Sequence, residues 1–305
     1  MKNSLSINGD VTIIGAASGW GAQLHKTEDG PNTLFELGLI NNLKNWGVSL
    51  ADHYMVSPSK SNSEIFFPDN KSTLPLVVES VDLVYGSVCK EIAKGHFPIV
   101  IGGDHSIAIG TWSGIVTALD AEEEFGLIWV DAHMDSHTME TSPSKAYHGM
   151  PVACLLGYGV SDLTSIGKKK VKIKPENLVL IGIRSYERGE ENLLNSLGVR
   201  VFKIEEVQRL GMAAVFEEAL KIVTKTTKGF GVSIDLDAFD PTEAPGVGSP
   251  EPNGLKQADF LPEIYRIRND PKLKGLEFTE FNPHLDKDDK TANLIFDLIK
   301  KFTEK

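Results

Sequence analysis

The feature that most constrains this chain is a series of short runs that are apolar at consecutive positions, each followed by a longer segment of helical pattern. The strand candidates are "VTIIG" (residues 11–15), "FPIVIGG" (97–103), "GLIWVDAH" (126–133), "NLVLIGIR" (177–184), "FGVSIDLD" (230–237) and "GLEFTEFN" (275–282). A strand with one wet face alternates apolar and polar residues. Several of these do not, so both faces must be covered, as they are in a parallel sheet packed between helical layers. Helices are expected over 75–95, where Gly95 is the stop, and over 106–119, 187–197, 212–227 and 288–302. The alternation runs throughout, without a repeat or a Pro/Ser-rich linker. It predicts α/β architecture: a single three-layer αβα domain over 1–305 with a mainly parallel central sheet. Residues 56–76 are the least regular stretch and read as a surface loop.

Composition narrows the partners. The formal charge of −11 disfavours nucleic acid and anionic membranes and suits a cationic ligand or a metal, with a solvated acidic surface as the plainer explanation. No apolar run approaches the roughly 20 residues needed to cross a bilayer. The opening "MKNSLSINGDVTIIGAA" has one lysine and too short an apolar stretch for a signal peptide. Cys89 and Cys154 are too few for a disulfide framework, which fits a reducing cytoplasm.

Ligands of open parallel sheets sit beyond the carboxyl ends of the strands. Four polar clusters fall there: "GGDHS", "DAHMD", "DLDAFDP" and "EFTEFNP". Asp235 and Asp237 are two residues apart, which on an extended backbone turns both carboxylates to one side; Asp131, His133 and Asp135 repeat the spacing. Like charges crowded at a buried strand end raise one another's pKa and cost stability unless cations compensate them. One divalent ion is the simplest compensation, and two account better for the surplus. With His105, the set is two imidazoles and four carboxylates without thiolate, which suits Mn²⁺, or Fe²⁺, Co²⁺ or Ni²⁺. Taken alone, "GGDHS" reads as a turn and helix cap, and "DLDAFDP" as the end of a strand. Three such clusters at three strand ends favour a metal centre. A serine hydrolase using Ser106 lacks a G-x-S-x-G elbow, and "GVGSPEPNG" is not a nucleotide-binding glycine loop.

In "GGDHS", "DAHMD" and "SIDLDAFDPTEAPGVGSPEPNGL" the chain resembles the ureohydrolases, the family of arginase and agmatinase. "EDGPNTLFELGLINNLKNWG" and "GLEFTEFNP" extend the resemblance over most of the chain, and "TSPS…HGMP" resembles the arginase branch. The resemblance implies two Mn²⁺ per chain in one α/β domain that assembles as a homo-oligomer, a trimer or hexamer. His105, Asp131, Asp135 and Asp235 would bind one ion. His133, Asp131, Asp235 and Asp237 would bind the other, with Asp131 and Asp235 bridging. It implies attack of a metal-bridging hydroxide on the guanidinium carbon of a small cationic substrate, L-arginine yielding ornithine and urea. Asp135 would relay the proton, His148 would shuttle it near the leaving amine, and Glu280 would pair the guanidinium. Glu277 competes for that last role, but alternation puts it on the opposite face from Glu280, so only one can serve.

The tail-recognition shell departs from the family pattern. His137 and Ala146 stand where arginases carry asparagines that reach an α-carboxylate, although Ser144 is kept. His137 can donate a hydrogen bond in place of the first asparagine, and Lys145 can supply a charge if it points inward. Glu187 takes the place of the aspartate that meets the α-amino group. Agmatine or a guanidino acid is therefore the alternative substrate, and "APGVGSPEP" leans towards the agmatinase branch. A metal-stabilised scaffold without turnover is the remote alternative; it should lack a ligand or Glu280, and neither is missing.

Overall fold

Among the described residues, eight strands lie in one sheet in the order β2-β1-β3-β8-β7-β4-β5-β6, and every neighbouring pair is parallel. They are β1 (Val11–Ala16), β2 (Leu50–Val56), β3 (Phe97–Gly102), β4 (Phe125–Val130), β5 (Leu178–Ile183), β6 (Arg200–Lys203), β7 (Gly229–Asp235) and β8 (Leu273–Thr279). This computed structural model describes residues 9–23, 26–59 and 73–304. Of the irregular stretch expected over 56–76, residues 60–72 lie outside the described residues, as do the first eight residues of the chain.

Alternate residues of each strand feed opposite layers. Ile128 and Val130 of β4 join a core with Val232 and Ile234, packed by the helices Met212–Thr224 and Lys290–Thr303. Leu127 and Trp129 of the same strand join a second core, on the side of the helices Leu74–Ala93 and Ala108–Ala118. The three-layer sandwich follows, because both faces of the inner strands are apolar and each must be covered. At β7 the fit is close: a Cβ on Gly231 would stand 1.9 Å from Trp112 Cζ3, so glycine is what lets the indole lie on the strand. No helix among the described residues is long and apolar enough to cross a membrane.

The two strands missing from the sequence reading, β2 and β6, are the two edges of the sheet. Each pairs on one side only and is partly exposed, so Asp52, His53, Arg200 and Lys203 are tolerated and the apolar signal is diluted. The four strands that carry the polar clusters, β3, β8, β7 and β4, are consecutive neighbours at the centre. Because all four are parallel, their carboxyl ends share one rim of the sheet.

Candidate active site

The rim is built from turns rather than from extended strand. β4 ends at Val130 and β7 at Asp235, so Asp131, His133, Asp135 and Asp237 all lie beyond the strands. The expectation that two-residue spacing on extended backbone aligns the carboxylates is therefore corrected. Residues Leu236–Ala238 form a 3-10 turn capped by Asp235, whose Oδ1 accepts the Asp237 N–H at 2.9 Å. Asp131 Oδ1 likewise accepts the His133 N–H at 2.7 Å, and Asp135 sits at φ +48° in the left-handed region. Each aspartate holds the turn that aims its neighbour, a local pairing typical of Asp after a strand.

"GGDHS" performs both of its readings. Asp104 caps the turn by accepting the Ser106 N–H at 2.9 Å, and it also accepts the Gly21 N–H at 2.9 Å. This frees His105 to point at the rim. Gly103 must be glycine, since a Cβ there would stand 2.0 Å from Ser18 O in the loop after β1. Gly103 O in turn accepts the Glu280 N–H at 2.9 Å, which ties the end of β8 to the end of β3.

Two donor sets result. His105 Nδ1 lies 3.3 Å from Asp131 Oδ2, 3.1 Å from Asp135 Oδ2 and 3.0 Å from Asp235 Oδ2. His133 Nδ1 lies 3.5 Å from Asp131 Oδ1 and 3.1 Å from Asp237 Oδ2. Asp131 thus turns one oxygen to each imidazole. Asp235 turns Oδ2 to His105 and accepts the Asp237 amide with Oδ1; of the two expected bridges, Asp131 is the one with an oxygen beside each imidazole. Trp129 stacks on His105 with ring centroids 4.1 Å apart and donates from Nε1 to Asp131 Oδ2 at 2.9 Å, steadying one member of each set.

The sets fit divalent ions. Ligand atoms about 2.1 Å from one octahedral ion and at right angles to each other lie about 3 Å apart. That is the spacing of the His105 set. His105 Nδ1 is buried and makes no hydrogen bond of good geometry, as a lone pair reserved for a cation would be. Without a cation the electrostatics are costly. Burial and the neighbouring aspartates push Asp235 well up, and burial with the charge of Asp131 raises Asp135 to about 7. Burial opposes the charge on both imidazoles, yet the surrounding carboxylates raise His105 and His133. Protons are drawn in where positive charge is wanted.

A cavity of about 240 Å³ opens over these groups, with Asp135, His148, Glu280, His137, Glu187 and Ser144 among its lining residues. Glu280, at φ +65°, accepts the His105 N–H at 2.8 Å and faces His148 Nδ1 at 3.0 Å, both through Oε1. Burial alone would lower the His148 pKa, but Glu280 raises it to about 9; burial opposes the charge of Glu280, and His148 restores and lowers it. Glu277 points the other way, beneath His105, as the alternation of β8 requires.

At the far end, Glu187 caps the helix Arg188–Leu197 in a reciprocal box with Glu190. His137 Nε2 is 2.8 Å from Glu187 Oε2 and 3.3 Å from Glu190 Oε2, and its Nδ1 is 3.1 Å from Thr141 Oγ1. Both ring nitrogens are engaged by the protein. Lys145 Nζ donates to Met139 O at 2.6 Å instead of entering the cavity. Ser144 Oγ accepts the Ala146 N–H at 3.2 Å.

Glu190, Arg184 and Ser233 were missed in the sequence reading. Glu190 had a signal, three residues after Glu187 at the start of a helix. Ser233 did too, two before Asp235 on the same face of β7. Arg184 had none: it donates to Asp237 O at 2.7 Å, Ala238 O at 3.1 Å and Glu251 O at 2.8 Å, holding the loop that follows β7, and only tertiary contact reveals it.

The chain matches the Arginase family over residues 9–303. It is 37% identical over 285 residues to an arginase of Bacillus caldovelox, covering 93% of this chain and 94% of that protein. It is 35% identical to an arginase of Bacillus subtilis, covering 97% and 98%. The solved structure of the Bacillus caldovelox arginase superposes with a TM-score of 0.90 over 97% of this chain and 99% of that one, at 36% identity. An Entamoeba histolytica arginase solved in complex with L-ornithine superposes with a TM-score of 0.85 at 30% identity, covering 96% and 98%.

Proposed function

The chain belongs to the arginase family, and from that premise we propose that it hydrolyses the guanidinium group of L-arginine to ornithine and urea at a centre of two Mn²⁺ ions. The observation that carries the reading is the pair of His-centred donor sets joined through Asp131, beside the Glu280–His148 pair in one cavity. His105, Asp131, Asp135 and Asp235 would hold one ion, and His133, Asp131, Asp235 and Asp237 the other. Bound there, divalent ions supply a water activated as a nucleophile near neutral pH.

This chain's own groups do the rest. Glu280 offers its carboxylate to the planar guanidinium, which prefers a carboxylate partner, and its place is fixed by the His105 amide. Asp135 lines the cavity and accepts the proton of the attacking water for delivery to the leaving amine. His148, held charged beside Glu280, carries protons between that amine and solvent. Glu187 lines the far end of the same cavity and presents its carboxylate to the ammonium of the substrate tail.

A second reading, a guanidino amine such as agmatine, is favoured by one observation. Both ring nitrogens of His137 are spent within the protein and Lys145 is turned away, so no donor from either residue meets an α-carboxylate. The test is urea release from arginine and agmatine with Mn²⁺ supplied, alongside metal analysis of the protein. Arginine winning by more than about tenfold in kcat/KM supports the first reading, and agmatine winning supports the second. Absence of any Mn²⁺ dependence sinks both.

A further inference from the structure

Glu277 is a carboxylate buried completely in the middle of the sheet, and the reaction outlined above gives it nothing to do. Its surroundings form one row across three strands: Trp129 of β4 is paired with Ser233 of β7, and Ser233 with Glu277 of β8. The row lies directly beneath His105. His105 Nε2 is 2.9 Å from Ser233 Oγ, and Ser233 Oγ is 2.6 Å from Glu277 Oε2. Trp112 Nε1 adds a second partner to that same Oε2, at 3.2 Å.

We propose that Glu277 is a positioning residue for the metal centre: through Ser233 it places the His105 proton on Nε2 and leaves Nδ1 as a bare lone pair for the cation. The reasoning is an inventory of donors. An indole N–H can only donate, so Trp112 marks Oε2 as an acceptor. Any proton the carboxyl carried would sit on Oε1, and the direction of the chain does not depend on whether it is there. Ser233 has a single hydroxyl proton, and the short contact to Oε2 claims it. The Ser233 oxygen must therefore receive a proton from its other neighbour, His105 Nε2–H. The imidazole that binds a cation is neutral and has one proton; with that proton on Nε2, it is Nδ1, aimed at three aspartates, that meets the ion as a lone pair. Were Glu277 apolar, the Ser233 proton would be free to turn to Nε2, and the tautomer with Nδ1–H would compete with ion binding. Histidine ligands are commonly fixed by the partner of their second nitrogen; here a serine stands between, and the buried acid fixes the serine.

This inference rests on the two-ion reading of the site, and Mn²⁺ titration of the metal-free protein, followed by calorimetry and by the electron paramagnetic resonance of free Mn²⁺, separates the two. Wild-type protein should take up two ions. Ser233→Ala and Glu277→Met should hold one ion as the wild type does and the other about 10- to 100-fold more weakly, the usual cost of losing such a partner. Glu277→Gln should bind like wild type, because its carbonyl oxygen can accept from both Trp112 and Ser233. If Glu277→Met does not fold, Ser233→Ala decides, since it removes one oxygen and adds no bulk. Unchanged binding in Ser233→Ala overturns the proposal, as does equal weakening of both ions. Loss in Glu277→Gln as large as in Glu277→Met also overturns it, by showing that charge and not hydrogen-bond direction matters. A wild-type protein that binds no Mn²⁺ overturns the two-ion reading itself.

Discussion

Replacing Glu280 by glutamine tests the role of the guanidinium-facing acid with little disturbance to its surroundings. The side chain keeps its length, and an amide tolerates φ +65° as well as a carboxylate does. Its carbonyl oxygen can still accept the His105 N–H that Glu280 Oε1 accepts at 2.8 Å. What goes is the charge, and with it the partner that raises the His148 pKa. A carboxylate meeting a guanidinium makes two charge-assisted hydrogen bonds worth about 1.5–3 kcal/mol each, whereas a carboxamide retains one ordinary bond worth about 1 kcal/mol. The difference is about 2–5 kcal/mol, or roughly a 30- to 5000-fold loss of kcat/KM. The assay is steady-state urea release at saturating Mn²⁺, with bound metal measured on the same samples. Glu280 belongs to neither donor set, so two ions per chain should remain. A loss below about threefold with full metal occupancy would refute the reasoning and return the guanidinium-binding role to another group. A loss of metal in parallel with activity would mean that Glu280 acts through the donor sets instead.

Four further outcomes follow from the same structure. Asp131→Asn should abolish measurable turnover and lower bound Mn²⁺ below two per chain, because one oxygen of Asp131 faces each imidazole; elemental analysis and urea release check it. Chelation should lower the melting temperature and Mn²⁺ should restore it, by about 5–10 °C at a hundredfold excess over Kd, read by calorimetry. Gly231→Ala should cost about 1–3 kcal/mol or more in denaturant unfolding, since the added methyl would meet Trp112. At the opposite end of the sheet, Glu91 is buried. Burial opposes its charge, but Lys94, His96 and Thr12 hold its pKa below the usual value. The stability it confers is present above the ordinary glutamate range and is lost as pH falls through its lowered value. Glu91→Gln should therefore be less stable than wild type by about 1–3 kcal/mol at neutral pH, with the gap closing in acid, as thermal melts across pH would show.

The central architecture was legible because an inner parallel strand must be covered on both faces, and several of the six candidate segments are apolar on both. The edges were not, because β2 and β6 answer to solvent as well as to the core. The residue types at the site were also legible: His105, Asp131, His133, Asp135, Asp235 and Asp237 form a donor set whose charge invites divalent ions wherever the chain brings it together. The reason they converge had to come from the fold. It is the turn geometry after β4 and β7, with Asp135 in a left-handed conformation, and not the two-residue period of a strand. Likewise, His137 reads in sequence as a donor available to substrate, but helix Arg188–Leu197 brings Glu187 to one of its nitrogens and leaves Thr141 on the other. Glu277 shows the division most clearly. Alternation alone turns it away from Glu280; only the register of β4, β7 and β8 sets it beside Ser233 under His105. Spacing along one chain determines which face a side chain takes, whereas hydrogen-bond partners belong to neighbouring strands far apart in sequence, and those are decided by the packed sheet.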